Sequence, residues 1–213
     1  DLDHETAQPA FEGRVHPLQL ALDVQGAMGD GDWLVIDGGN THFWSEIAVN
    51  IAGFQGKKLG GILHPGTFSL LGVGVSFAVS AKNVDPNRNV VLISGDGAFL
   101  SGGLSIEAAF QENCPIVVVI DNNGGLDCIS QQQERLFASG THYATDFRDI
   151  PFHAMFEGLG GHGELVTRRE DIIPAVQRAI ASGKTACVNV KVKGVISPIV
   201  LATTSKRDKA SIE

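Results

Sequence analysis

Short apolar runs alternate with polar, glycine-rich breaks along most of the chain. Residues 33–36 (WLVI), 90–93 (VVLI), 116–120 (IVVVI) and 186–192 (ACVNVKV) have the length and β-branched content of buried strands. Val166 marks the end of one more. Helical patterns lie between them. Pro17 can open a helix at its first turn, and Leu18, Ala21, Leu22 and Met28 recur at helical spacing. Residues 69–79 (SLLGVGVSFAV) read as a small-residue helix that packs closely under a sheet, and residues 104–111 as another helix. Thr167-x-x-Glu170 reads as a capping box for a helix that runs to Ala181 and stops at Gly183. Residues 131–134 (QQQE) fit either a polar helical segment or a loop, and Asp85-Pro86-Asn87 is a turn before the Val90 strand. Strands alternating with helices predict an α/β fold: a doubly wound, mainly parallel sheet with helices on both faces.

The expected organisation is one domain over residues 15–195, preceded by a linker or tail (1–14) and followed by a C-terminal tail (196–213) that is charged from Ser205 onward. A chain of 213 residues is long enough for one large α/β core. There is no internal repeat and no low-complexity tract.

Two of the apolar runs end in chemistry. The strand at 90–93 leads into Gly95-Asp96-Gly97, and the strand at 116–120 leads into Asn122-Asn123. A strand–turn–helix–strand unit in a parallel sheet brings both ends to the same edge. Asp96 then offers a carboxylate and Asn123 an amide oxygen, 27 positions apart in sequence. Both are hard oxygen donors of the kind magnesium takes, with water and phosphate oxygens completing its octahedron. Gly95 and Gly97 let the backbone approach a phosphate, and the following helix can aim N–H groups at it. The residues thus describe a metal-bridged diphosphate site. A plain nucleotide-type fold with an Asp-Gly turn leaves the second asparagine and its spacing unexplained.

Composition narrows the function classes. The chain is 43% hydrophobic and 19% charged with 26 glycines, an ordinary globular makeup with many turns. A net charge of -8 argues against a nucleic-acid partner. No apolar run reaches about 18 residues, so no membrane-spanning helix is expected. The first 14 residues lack a signal-peptide core. Cys114, Cys128 and Cys187 are odd in number and not paired as metal ligands, which fits a reduced, cytoplasmic setting.

Gly95-Asp96-Gly97, 24 further residues and then Asn122-Asn123 resembles the signature of thiamine-diphosphate-dependent enzymes. The resemblance covers about residues 15–195, all of it in the half that binds the diphosphate. It implies thiamine diphosphate and Mg²⁺ as cofactors, with Asp96, Asn123 and the backbone carbonyl of Gly125 as metal ligands. It implies cofactor contacts from Gly39, Asn40 and Thr41 at the far end of the diphosphate, and from Gly95, Asp96, Gly97 and Ala98 at the glycine-rich turn. Ser69 stands where the family has glycine, its carbonyl facing the pyrimidine amine. Leu71 would be the bulky apolar residue that bends the cofactor into a V; the alternative is a core leucine on a buried helix. Leu126 would cover the cofactor where the family often has an aromatic. His42, Trp44 and His64 read as structural or supporting residues, and His153 and His162 show no partner pattern.

The family's activating glutamate has no counterpart here. It belongs to a pyrimidine-binding domain, on the same longer chain or on a partner subunit, so the isolated chain is expected to be inactive and the enzyme to be a homo-oligomer. The linker-like start favours a piece of a longer chain. HPLQLALDVQGAM, VIDGGNTHFW and LLGVGVSFAVSA resemble the acetolactate-synthase-like branch, which implies 2-oxo acid decarboxylation and carboligation. The alternative is a 2-hydroxyacyl-CoA lyase or oxalyl-CoA decarboxylase, with an acyl-CoA substrate and a lid formed after Gly194. A non-catalytic cofactor-binding module is the reading from another class, and the intact Asp96 and Asn123 argue against it.

Overall fold

A computed structural model describes residues 14–137 and 140–207, the side chains of 203–207 excepted. Residues 1–13 and 208–213, where most of the expected linker and the charged end fall, lie outside the described residues.

Six strands form one parallel sheet in the order β2-β1-β3-β4-β6-β5. They are β1 (Trp33–Asp37), β2 (Gly61–Leu63), β3 (Val90–Gly95), β4 (Val117–Asn122), β5 (His162–Val166) and β6 (Ala186–Lys191). β3 and β4 are buried at every position, which is why they read as unbroken apolar runs. Their side chains alternate between two cores. Val91, Ile93, Val117 and Val119 face α1 (Pro17–Ala27), α2 (Asn40–Phe54) and α8 (Ile172–Ala181). Val90, Leu92, Val118 and Ile120 face the other side. There lie α3 (Gly74–Val84), α4 (Asp96–Gly102), α5 (Glu107–Gln111) and α7 (Phe152–Gly158). The doubly wound, all-parallel architecture is thus as expected.

Local chemistry sets the helix ends. Pro17 occupies the first turn of α1, and His16 Nδ1 accepts from the Leu18 amide at 3.1 Å. Three expectations are corrected. The helix assigned to 69–79 begins only at Gly74, because Ser69 (φ 48°) and Gly72 (φ 90°) hold the preceding turn in left-handed conformations. The helix assigned to 104–111 is instead a helix starting directly at Asp96, a 3₁₀ turn (Gly103–Ile106) and the short α5. A Cβ at Gly102 would stand 2.0 Å from the Gly72 carbonyl oxygen, so this break lets the two turns touch. The capping box does not form: a 3₁₀ turn (Arg169–Asp171) precedes α8, neither starts with a side-chain cap bond, and Arg168 pairs with Asp171.

The sequence pattern did not announce the three-residue edge strand β2 or α7. Residues 131–134 fall within α6 (Asp127–Leu136). The segment read as a C-terminal tail holds α9 (Pro198–Arg207) and docks on the domain: Ser197 and Val200 are buried, and the Ser197 amide donates to Asn40 Oδ1 at 3.1 Å.

α7 carries the anchor of the second core. Phe156 is fully buried, with ring centroids 5.9 Å from Phe99 and 6.1 Å from Phe110. Phe156→Ala should cost about 3–5 kcal/mol in urea unfolding, whereas Leu159→Ala, at a residue 51% exposed, should stay within about 0.5 kcal/mol.

Candidate functional site

In a parallel α/β sheet ligands bind beyond the carboxyl ends of the strands, where the winding reverses. Here the reversal falls between β1 and β3. The chain leaves β1 through α2 on one face toward β2, and leaves β3 through α4 on the other face toward β4. A cleft of about 290 Å³ opens at this point. Gly39, Asn40, Thr41, Ser69, Leu71, Gly95, Asp96, Gly97, Ala98, Asn123, Gly125 and Leu126 all line it. His42, Phe43, Asp127, Cys128 and Ile129 line it as well.

Asp96 is the centre of the cleft floor. Register pairs Gly95 with Asp121 across β3 and β4, so Asp96 stands level with the end of β4. Its Oδ1 accepts from the Gly97 amide at 2.7 Å, and its Oδ2 from the Gly124 and Gly125 amides at 2.8 and 3.1 Å. Asn123 Oδ1 accepts from the Gly125 amide at 3.1 Å. The loop after β4 is therefore folded around Asp96. Antiparallel bridging of Gly125 with Asp146 straps that loop from outside. Gly97 is required by contact: a Cβ there would stand 2.5 Å from Leu126 Cδ2.

Of the other carboxylates nearby, Asp121 is buried and Asp127 half-buried. Burial pushes Asp96 up to about 6, against the pull of its three amide donors. Burial pushes Asp121 up to about 8, opposed by the Thr41 hydroxyl and reinforced by the charges of Asp96 and Asp127. Asp127 is pushed up to about 7 by burial and then by Asp96. Asp121 Oδ1 and Asp127 Oδ2 are buried without a hydrogen-bond partner among the described residues. Such a cluster favours a cation.

The donor set fits magnesium. A carboxylate has about four lone-pair sites. Asp96 Oδ2 uses both of its own on amides, whereas Oδ1 uses one. Asn123 Oδ1 also keeps one site. With the Gly125 carbonyl these are hard oxygens gathered where the loop after β4 folds around Asp96.

Opposite them, the amino end of α2 faces the cleft from Gly39, with no side-chain cap. The first turn of a helix leaves N–H groups without intrahelical partners and favours anions. Asn40 and Thr41 line the cleft and also have protein partners. The Asn40 amide donates to Gln131 Oε1 at 3.1 Å and accepts from the Ser197 amide at 3.1 Å. Thr41 Oγ1 donates to Asp121 Oδ2 at 2.9 Å. Both side chains thereby brace the cleft wall.

Leu71 is not a core residue. It lies in the turn before α3, 37% exposed, at the cleft. Asp37, at the end of β1, fixes that turn: Oδ2 accepts from the Gly72 and Gly74 amides at 3.0 and 2.7 Å. Sequence reasoning passed over Asp37, Asp121 and Asp127. Their acidic character at strand or loop ends was visible, but their burial was not. His153 and His162 do have partners, Asn189 and Glu164.

The buried carboxyls set a pH dependence. With folded values raised above the unfolded one, the metal-free fold binds more protons than the unfolded chain. Their contribution is complete below pH of about 4 and is lost as pH rises through about 6 to 8. In chelator, urea midpoints should therefore fall across this window, and Asp121→Asn should flatten its upper half.

Comparison with known proteins agrees with this geometry. Residues 37–190 match the family model of the thiamine pyrophosphate enzyme, C-terminal TPP binding domain. The chain is 34% identical over 178 residues to a probable acetolactate synthase of Mycobacterium bovis, covering 83% of this chain and 31% of that protein. It is 28% identical over 191 residues to 2-hydroxyacyl-CoA lyase 2 of Danio rerio, covering 86% and 29%. The thiamine diphosphate-dependent 4-hydroxybenzoylformate decarboxylase of Rhodococcus jostii superposes with a TM-score of 0.71 at 26% identity, covering 87% of this chain and 34% of that one. The chain thus spans about a third of the length of these relatives. Among the described residues no helix is long and apolar enough to cross a membrane. The cleft at the β1/β3 reversal, its folded Asp96 loop and these matches agree, and the chain belongs to the thiamine pyrophosphate enzymes as their C-terminal TPP-binding domain.

Proposed function

We propose that this domain anchors thiamine diphosphate through Mg²⁺, within a lyase or transferase of the acetolactate-synthase-like branch that acts on 2-oxo acids. The observation that carries the reading is the folding of the Asn123–Gly125 loop around Asp96, opposite the amino end of α2, in one cleft. Asp96, Asn123 and the Gly125 carbonyl hold the metal. The amino end of α2 and the Gly97 turn hold the diphosphate, with Gly95 and Ala98 beside it. Leu71, Leu126 and Ile129 give the cleft an apolar wall, and Ser69 offers its backbone carbonyl beside Leu71. When bound, thiamine diphosphate supplies an electron sink for cleaving a bond next to a carbonyl.

The carboxylate that activates the pyrimidine comes from a pyrimidine-binding domain, on the same polypeptide or a partner subunit, in a homo-oligomer. The higher identity to the acetolactate synthase than to the 2-hydroxyacyl-CoA lyase supports 2-oxo acid chemistry with carboligation. The lyase similarity supports acyl-CoA cleavage as a second reading.

Calorimetry of the full-length protein with thiamine diphosphate and Mg²⁺ tests the anchoring. Asp96→Ala should weaken the cofactor at least tenfold, about 1.4 kcal/mol, and unchanged affinity at matched Mg²⁺ would remove Asp96 from the site. Leu71→Ala should lower turnover more than cofactor affinity, because the leucine contacts the cofactor's middle and not its diphosphate. If unfolding midpoints alone move, Leu71 is a stability residue. Parallel assays of 2-oxo acid decarboxylation and acyl-CoA cleavage separate the two substrate classes.

A further inference from the structure

A second group of ligating side chains starts at the cleft, where buried His42 lines it, and runs along α2 to Glu46 and across to exposed His64. His42, Glu46 and His64 each offer one ligand atom, and these atoms all lie within 4.8 Å of one another. His42 and Glu46 are one helical turn apart on α2, so they share a face. His42 Nε2 is 3.0 Å from Glu46 Oε1. His64 follows β2, and its ring centroid is 5.0 Å from that of His42. Glu46 and His64 line a hollow of their own, together with Ile36, Val49, Asn50 and Ile62.

We infer that His42, Glu46 and His64 form a binding site for a zinc-class divalent ion, distinct from the Mg²⁺ site at Asp96. Two imidazoles and one carboxylate are the donors that zinc, nickel or copper prefer, whereas magnesium takes oxygens. Three protein ligands leave a fourth position to water, as in open zinc sites. The carboxylate disfavours the rival occupant, an anion such as a phosphate.

The fit needs only small movements. Ligand atoms on a tetrahedral zinc stand roughly 3.4 Å apart, given Zn–N bonds of roughly 2.1 Å. The His42–Glu46 pair is already near that separation. His64 is exposed and can close the remaining distance. Its Nδ1 accepts from the Gly66 amide at 3.2 Å. Giving up that exposed bond costs little, because water replaces it. Ligating imidazoles must be neutral. Burial holds His42 below the usual histidine range, against the pull of Glu46 and with His64 adding to the lowering. A bound ion would tie α2, whose amino end faces the cleft, to the segment that leads into the Leu71 turn. The inference does not rest on the cofactor reading.

The test uses the full-length protein, purified without a histidine tag and held in excess Mg²⁺. Titration with Co²⁺ should give one equivalent of a visible band of four-coordinate intensity, displaced by one equivalent of Zn²⁺. His64→Ala, at an exposed residue whose loss leaves the fold intact, should weaken Co²⁺ at least tenfold, and so should Glu46→Gln. Asp96→Asn should leave the band unchanged. Absence of a band that Zn²⁺ displaces, equal affinity in His64→Ala, or loss of the band in Asp96→Asn would each overturn the inference.

Discussion

Asp96 is a carboxylate almost without water, 2% exposed, at the point where the sheet stops and the cleft begins. It survives there because three backbone amides point at it: one from its own helix start and two from the loop after β4. Those bonds join β3 to β4 beyond the last pair of their ladder. They also decide the path of residues 123–125, since the loop cannot leave without stranding a buried carboxylate. The cleft's floor, the strap through Asp146 and the placement of Leu126 over Gly97 all follow from that constraint.

A second aspartate plays the matching part on the opposite wall. Asp37 ends β1 and holds the amides of Gly72 and Gly74, and so delays the start of α3. The five residues from Ser69 to Val73 are thereby released from the helix and turned toward the cleft. Leu71 gains its position from a carboxylate 34 residues earlier in the chain, across the sheet edge. The two aspartates have one logic: a buried side chain at a strand end collects the amides of a neighbouring loop and gives it a single conformation.

The same edge gathers three carboxyl groups whose proton affinity is raised. Burial raises the proton affinity of Asp96, Asp121 and Asp127, and the charge of Asp96 adds to the rise at the other two. Thr41 gives its hydroxyl to Asp121 and Asn40 braces the C-terminal segment through Ser197. The polar side chains at the start of α2 thus have protein partners while lining the cleft, and the amino end of the helix faces the same space. The proposed diphosphate and its divalent cation suit this arrangement, a cation by the carboxylate side and phosphates by the helix end.

The sequence by itself determined the fold class and most of the cleft. Strands buried on both faces cannot hide their apolar runs, and β3 and β4 were legible for that reason, as was the parallel winding between them. Gly95-Asp96-Gly97 and Asn122-Asn123 were legible because each ends such a run. What only the tertiary structure decided were features that depend on distant partners. The start of α3 depends on Asp37, the break before α5 on the approach of Gly102 to Gly72, and the roles of Asn40 and Thr41 on Gln131, Ser197 and Asp121. β2 is too short to carry a pattern, and α7 is one apolar face on a short helix whose meaning comes from Phe99 and Phe110. Local pattern reports what a residue does to its own segment; burial, and the charge and hydrogen bonding that burial imposes, come from segments that the pattern does not connect.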